Sequence, residues 1–170
     1  MGWPRLSLRP IDVTSVASKT VISRAVLAAL LCFSIGIVED TPAEALDKQP
    51  LTFITSAGQH KITVEVADDD NERNTGLMFR KSIGDDEGMI FLYTNEEDIS
   101  MWMKNTYISL DMIFVRGNGT ISRIETGTEP FSESVISSGG KVLAVIEMKA
   151  GSARRLGLKA GDKVSYPAFH

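Results

Sequence analysis

The residues best suited to chemistry fall in one stretch, Ile99 to Val115, which reads ISMWMKNTYISLDMIFV. Trp102 stands between Met101 and Met103, Lys104, Asn105 and Thr106 follow at once, and Asp111 interrupts a second apolar run. An indole face can stack on a ligand, while ammonium, amide, hydroxyl and carboxylate groups orient it by hydrogen bonds. The cluster Trp102, Lys104, Asn105, Thr106 and Asp111 therefore suits a small polar ligand, sugar-like or carboxylated, or a protein partner. Successive side chains of an extended segment point to opposite faces. Ile99, Met101 and Met103 then share one face, and Ser100, Trp102 and Lys104 the other. The competing reading is structural: Trp102 simply packs, and Asp111 only staples the connection. A carboxylate beside Ile113 and Val115 needs a partner, since burying an unpaired charge is costly. Lys104 and the backbone N–H groups of Asn105 to Ile108 are the nearest candidates.

Two other chemistries compete. Met101 and Met103 could offer thioethers to copper, as soft ligands do, but methionine also fills core gaps. A hydrolase triad would have to recruit His60, because His170 is terminal. His60 opens a strand beside a turn and reads as exposed. Carboxylate-pair hydrolysis stays open, since Asp111 and another acid could meet in space. No zinc-ligand spacing, nucleophile elbow or phosphate loop occurs. No catalytic residue, metal or cofactor is assigned.

Composition narrows the class. The 170 residues carry 18 basic and 22 acidic side chains, a net charge of −4. That balance disfavours nucleic acid, which needs a basic face. Residues 1–45 read as an export signal. Arg5, Arg9, Lys19 and Arg24 form a basic front, Ala25 to Val38 an apolar core, and Ala43-Glu44-Ala45 a cleavage site. The apolar core falls short of the about 20 residues a membrane span needs, although a retained anchor is the alternative. Cys32, the single cysteine, lies inside it. The mature chain thus has neither a thiol nucleophile nor a disulfide. Cleavage would leave a periplasmic or secreted protein, free of the membrane and the size of a monomer.

The elements that position these groups read as short strands. Residues 46–50 form a tether before a single domain over 51–170. Leu51 to Thr55 and His60 to Ala67 alternate and pair as a hairpin. Asp69 and Glu72 have capping-box spacing for a helix running to about Met78 that buries Leu77 and Met78. Gly76 near its end implies a cap or a close backbone approach. Gly88 to Tyr93 is a strand buried on both sides, Thr94 to Asp98 an acidic turn, and Ile99 to Lys104 and Leu110 to Arg116 are further strands. Gly117-Asn118-Gly119 folds Thr120 to Glu125 back antiparallel. Thr126 to Gly140 reads as a surface loop, Val142 to Met148 as a buried strand, Ala153 to Leu156 as a short helix, and Lys163 to Tyr166 as the last strand. The fold class is mainly β, a compact antiparallel sandwich or barrel with two short helices.

Four blocks taken together resemble a known family. They are TGLMFR at Thr75 to Arg80, GMIF at Gly88 to Phe91, MWMKNT with SLDMIF at Met101 to Phe114, and Glu147 to Val164 ending in AGDKV. In order and spacing they are similar to the domain of unknown function 192 family, over about Leu51 to Val164. The resemblance implies a mainly β fold and frequent export, and no established activity. The family's arginine before its GLM block is Thr75 here, so Arg73 or Arg80 would have to stand in. With Arg80 included, the expected ligand-binding set is Arg80, Trp102, Lys104, Asn105, Thr106 and Asp111.

Overall fold

The computed structural model describes residues 45–170. The basic front and apolar core of the expected leader lie outside the described residues. Seven strands form one sheet: β1 (Lys48–Thr55), β2 (Gly58–Ala67), β3 (Glu87–Met101), β4 (Leu110–Val115), β5 (Ile121–Glu125), β6 (Ile136–Lys149) and β7 (Lys163–Ser165). Their order is β5-β4-β6-β3-β2-β1-β7. Helix α1 (Asp70–Thr75) lies between β2 and β3, and α2 (Ser152–Arg155) between β6 and β7. All ladders are antiparallel except β2 with β3. That parallel pair needs a crossover, and the crossover carries α1. The fold class is as expected, mainly β with two short helices, but the sheet is one curled layer, a half-barrel, not two stacked layers.

The curl brings the edges together at one end. A bridge joins Thr120 to Lys163. The Ile121 N–H donates to the Asp162 carbonyl at 2.9 Å, and the Val164 N–H to the Gly119 carbonyl at 2.8 Å. Gly119 has φ +73, and a Cβ there would lie 2.6 Å from the Val164 carbonyl oxygen. Only glycine tolerates both conditions.

Each face of the sheet has its own apolar cluster. Leu51, Phe53, Ile62, Val64, Ile90, Ile113, Ile146 and Met148 belong to one. Leu77, Met89, Phe91, Met103, Met112, Phe114 and Val145 belong to the other. Burial on both faces explains the unbroken apolar runs: every residue of β4 is buried.

Several boundaries differ from the sequence expectation. The stretch read as a tether supplies the start of β1, because Lys48, Gln49 and Pro50 pair with Glu65, Val64 and Thr63. The expected acidic turn Thr94 to Asp98 is extended and joins its neighbours in one strand, β3, which ends at Met101, short of the expected Lys104. Beyond Phe91, β3 pairs only with β6, as a two-stranded ribbon with register shifts after Leu92 and Asp98. A ribbon open on both sides keeps charged residues in a strand. The second half of the expected loop Thr126 to Gly140 is the other arm of that ribbon. Ser138 Oγ accepts the Ile99 N–H at 3.0 Å and donates to the Gly140 carbonyl at 2.7 Å, which carries the ladder through the irregularity.

Candidate functional site

A cleft of about 210 Å³ opens between α1, the middle of β3 and the segment after β3. Local rules build its first wall. Asp69 Oδ1 accepts the Glu72 N–H at 2.8 Å, and Glu72 Oε2 accepts the Asp69 N–H at 3.2 Å, the expected capping box. The helix stops at Thr75, earlier than expected, and Gly76 takes φ +48. A Cβ on Gly76 would lie 3.0 Å from the Phe91 ring, so the glycine serves as both cap and point of contact. Leu77 turns inward and is buried, while Met78 is half-buried and lines the cleft.

Arg73, in the last turn of α1, ties this wall to the sheet. Nη1 donates to the carbonyls of Asp68 and Leu92, the latter at 2.7 Å. Nη2 pairs with Asp70 Oδ1 at 2.6 Å, and the guanidinium sits 5.2 Å from the Tyr93 ring centroid. Most of its donors and its charge are thus engaged. Desolvation raises the Tyr93 hydroxyl above its ordinary pKa, and the Arg73 charge works against the shift.

Glu147 forms the floor. Alternation along β6 sets it on the face of Val145, paired across the ladders with Met89 and Met112. It is 4% exposed and lines the cleft. Among the described residues no side chain or backbone group hydrogen-bonds its carboxyl. Burial pushes it up to about 8, so the group is neutral at pH 7 and can both donate and accept. The sequence reading missed Glu147, although an acid in the apolar run VLAVIEM is the same signal that singled out Asp111.

The expected site residues separate in space. Trp102 is 46% exposed and lines the cleft, as does the buried Thr106, whose Oγ1 donates to the Lys104 carbonyl at 3.1 Å. Lys104 and Asn105 lie outside the cleft lining. Lys104 is exposed. Asn105 has φ +55, and its carbonyl accepts the Phe79 N–H at 2.9 Å. Asp111 is fully buried, and Lys104 does not pair with it. Its Oδ1 accepts the Gly127 N–H and its Oδ2 the Ala153 N–H, both at 2.9 Å. It caps α2, whose own Gly151 offers no side-chain cap. Backbone donors hold Asp111 as expected in kind, but from the 126–128 segment and the first turn of α2 instead of the neighbouring Asn105 to Ile108. Arg80 joins neither group. It forms a two-pronged ion pair with Glu65 beside a separate hollow of about 30 Å³. Of the two arginines that could stand in for the family's arginine, Arg73 is the one at the cleft.

The residues recruited for the alternative chemistries also part. Met103 is fully buried with the Thr128 hydroxyl 3.2 Å from its sulfur, whereas Met101 borders the cleft. His60 is half-buried at the start of β2, outside the cleft lining, with an unpartnered Nε2. Among the described residues, no group of three or more His, Cys, Asp or Glu is placed to hold a metal ion.

Fold and site together define a half-barrel β domain with an acid-floored aromatic cleft. The chain belongs to the DUF192 family, described as "Uncharacterized ACR, COG1430", which matches residues 52–166. A solved structure from Sinorhizobium meliloti 1021, described as a putative transcription regulator, is similar at 40% identity and TM-score 0.71, covering 72% of this chain and 96% of that one. A protein of unknown function from Novosphingobium aromaticivorans is similar at 40% identity and TM-score 0.71, covering 74% and 89%. No curated protein matches. The family has no known function.

Proposed function

We propose that this domain is exported by its leader and binds a small, neutral, sugar-like ligand in the cleft. The observation that carries the reading is the exposed Trp102 indole in the same cleft as the buried carboxyl of Glu147, which has no hydrogen-bond partner among the described residues. An aromatic plate beside groups that both donate and accept suits a pyranose, which shows a C–H face and a rim of hydroxyls. Asn74, Thr75, Ser100 and Thr106 add amide and hydroxyl partners. Charge points the same way: Arg73 is matched by Asp70 and Glu147 is neutral, so a neutral ligand disturbs no protonation state. A carboxylated ligand would have to compete with Asp70 for the guanidinium. The volume is below the 300–1,000 Å³ or so of drug-sized pockets and fits one ring. The nucleic-acid reading that the Sinorhizobium protein's description invites gains no support from a net charge of −4.

The test is fluorescence titration of the Trp3→Phe protein, in which Trp102 is the sole emitter of the chain's two tryptophans. Glucose and N-acetylglucosamine are titrated against citrate and malate. A saturable change with a sugar, absent with the acids, is expected. Silence with every sugar at millimolar concentration ends the proposal, and a response to the acids alone reassigns the ligand.

A further inference from the structure

Asp70 opens α1 without serving as its cap. Asp69 and Glu72 form the capping box between them, so the start of the helix is closed without a third acid. The Asp70 side chain is 92% exposed, and its Oδ1 pairs with Arg73 Nη2 one turn along at 2.6 Å. Arg73 is held from other directions as well. Its Nη1 donates to the carbonyls of Asp68 and Leu92, its guanidinium lies 5.2 Å from the Tyr93 ring centroid, and its side chain is only 18% exposed. None of these anchors involves Asp70, so they keep the guanidinium at the cleft wall with or without that acid. An exposed ion pair adds little to stability. What the Asp70 carboxylate chiefly changes is therefore the charge of the cleft.

Both partners line the cleft, and among the described residues that line it Arg73 is the only cation. A guanidinium fixed in place is a receptor for a carboxylate. We infer that Asp70 sets the charge class of the ligand: by standing where a ligand carboxylate would pair with Arg73, it turns uronic acids away and leaves the cleft to uncharged sugars. This rests on reading the cleft as a sugar site. A uronic acid must either displace Asp70 from the guanidinium or set its own carboxylate beside a second one, and like charges side by side cost affinity. The neutral sugar with the same ring meets neither penalty. The other titratable groups of the lining are Tyr93 and Glu147. Glu147, neutral at pH 7, offers an anion neither a countercharge nor a repulsion. Selection against the wrong ligand by an unfavourable contact is a general route to specificity.

The test is calorimetry at pH 7 and constant ionic strength on the full chain. Glucose, galactose and N-acetylglucosamine are each paired with the uronic acid of the same ring. Any of these sugars that binds is expected to bind at least tenfold more tightly than its acid. Asp70→Asn keeps the size of the side chain and removes its charge. It should move that ratio at least tenfold towards the acid, with a thermal midpoint near the parent's. High sodium chloride should shrink the gain by screening, a readout that needs no second substitution. Arg73→Met added to Asp70→Asn should abolish it. A parent protein that binds a uronic acid as tightly as its neutral partner overturns the inference and leaves the cleft a sugar site. So does an Asp70→Asn protein in which sugar and acid weaken alike, because a purely structural role would leave the ratio where it was. No binding of any sugar or acid, by parent or variant, ends the sugar reading and this inference with it.

Discussion

Glu147 is a buried carboxyl with no hydrogen-bond partner among the described residues. Burial raises its carboxyl to about 8, against about 4.3 in an unfolded chain. Between those values the folded protein keeps a proton that the unfolded chain has released. Stability therefore falls as pH rises through that window, and the loss is complete above it. Below about pH 4 both states are protonated and the contribution vanishes. Glu147→Gln should thus be more stable than the parent by up to ~3 kcal/mol at pH 7 and no different at pH 4. Urea unfolding over a pH series measures this; equal pH profiles would mean that the carboxyl is not held neutral. A group kept at such a cost is consistent with a part in binding. Asp111 shows the opposite arrangement at similar depth. Two backbone N–H groups satisfy it, which makes it a fastener for α2 and the 126–128 segment.

At the scale of elements, α1 is too short to hold itself together, and tertiary contacts do most of the work. The capping box fixes its start, Arg73 fastens it to β3, and Gly76 lets it end against Phe91. Gly76→Ala places a Cβ at positive φ and 3.0 Å from the Phe91 ring. A loss of about 1–2 kcal/mol is expected from the backbone alone, read as a lower urea midpoint with an unchanged slope. Because Gly76, Phe91 and Arg73 all line the cleft, the same change should weaken the binding seen by Trp102. The loops that carry Phe79, Asn105 and Phe131, all at positive φ, store strain of about 1–3 kcal/mol per residue, and their mutual hydrogen bonds keep them in place.

At the scale of the molecule, a single sheet buries both of its faces by curling. The half-barrel depends on the seam where β5 approaches β7. Gly119→Ala puts a Cβ 2.6 Å from the Val164 carbonyl and strains the turn. About 2 kcal/mol of stability should be lost. Hydrogen exchange should show faster amides at Ile121 and Val164, with those of β4 and β6 unchanged; uniform acceleration would mean that the seam opens only in global unfolding.

What the sequence determined by itself was local. Alternating and unbroken apolar runs marked the strands, the Asp69 and Glu72 spacing marked α1, and Gly117-Asn118-Gly119 marked a hairpin, because these depend on neighbours within a few residues. Family resemblance was legible for the same reason, as short blocks in order. The extent of β3 was not, since the charged Thr94 to Asp98 stays extended only because β6 runs beside it. The alternation expected through Lys104 was not legible either: the strand ends at Met101, and Met101 borders the cleft together with Trp102 while Met103 is buried. Nor was the membership of the cleft. Trp102 and Thr106 meet Arg73, Tyr93 and Glu147 there, while Lys104, Asp111 and Arg80, closer to Trp102 in sequence than Glu147 or Arg73, go elsewhere. Which acid is fastened and which is left open depends on where distant backbone donors fall, and only the curl of the sheet decides that.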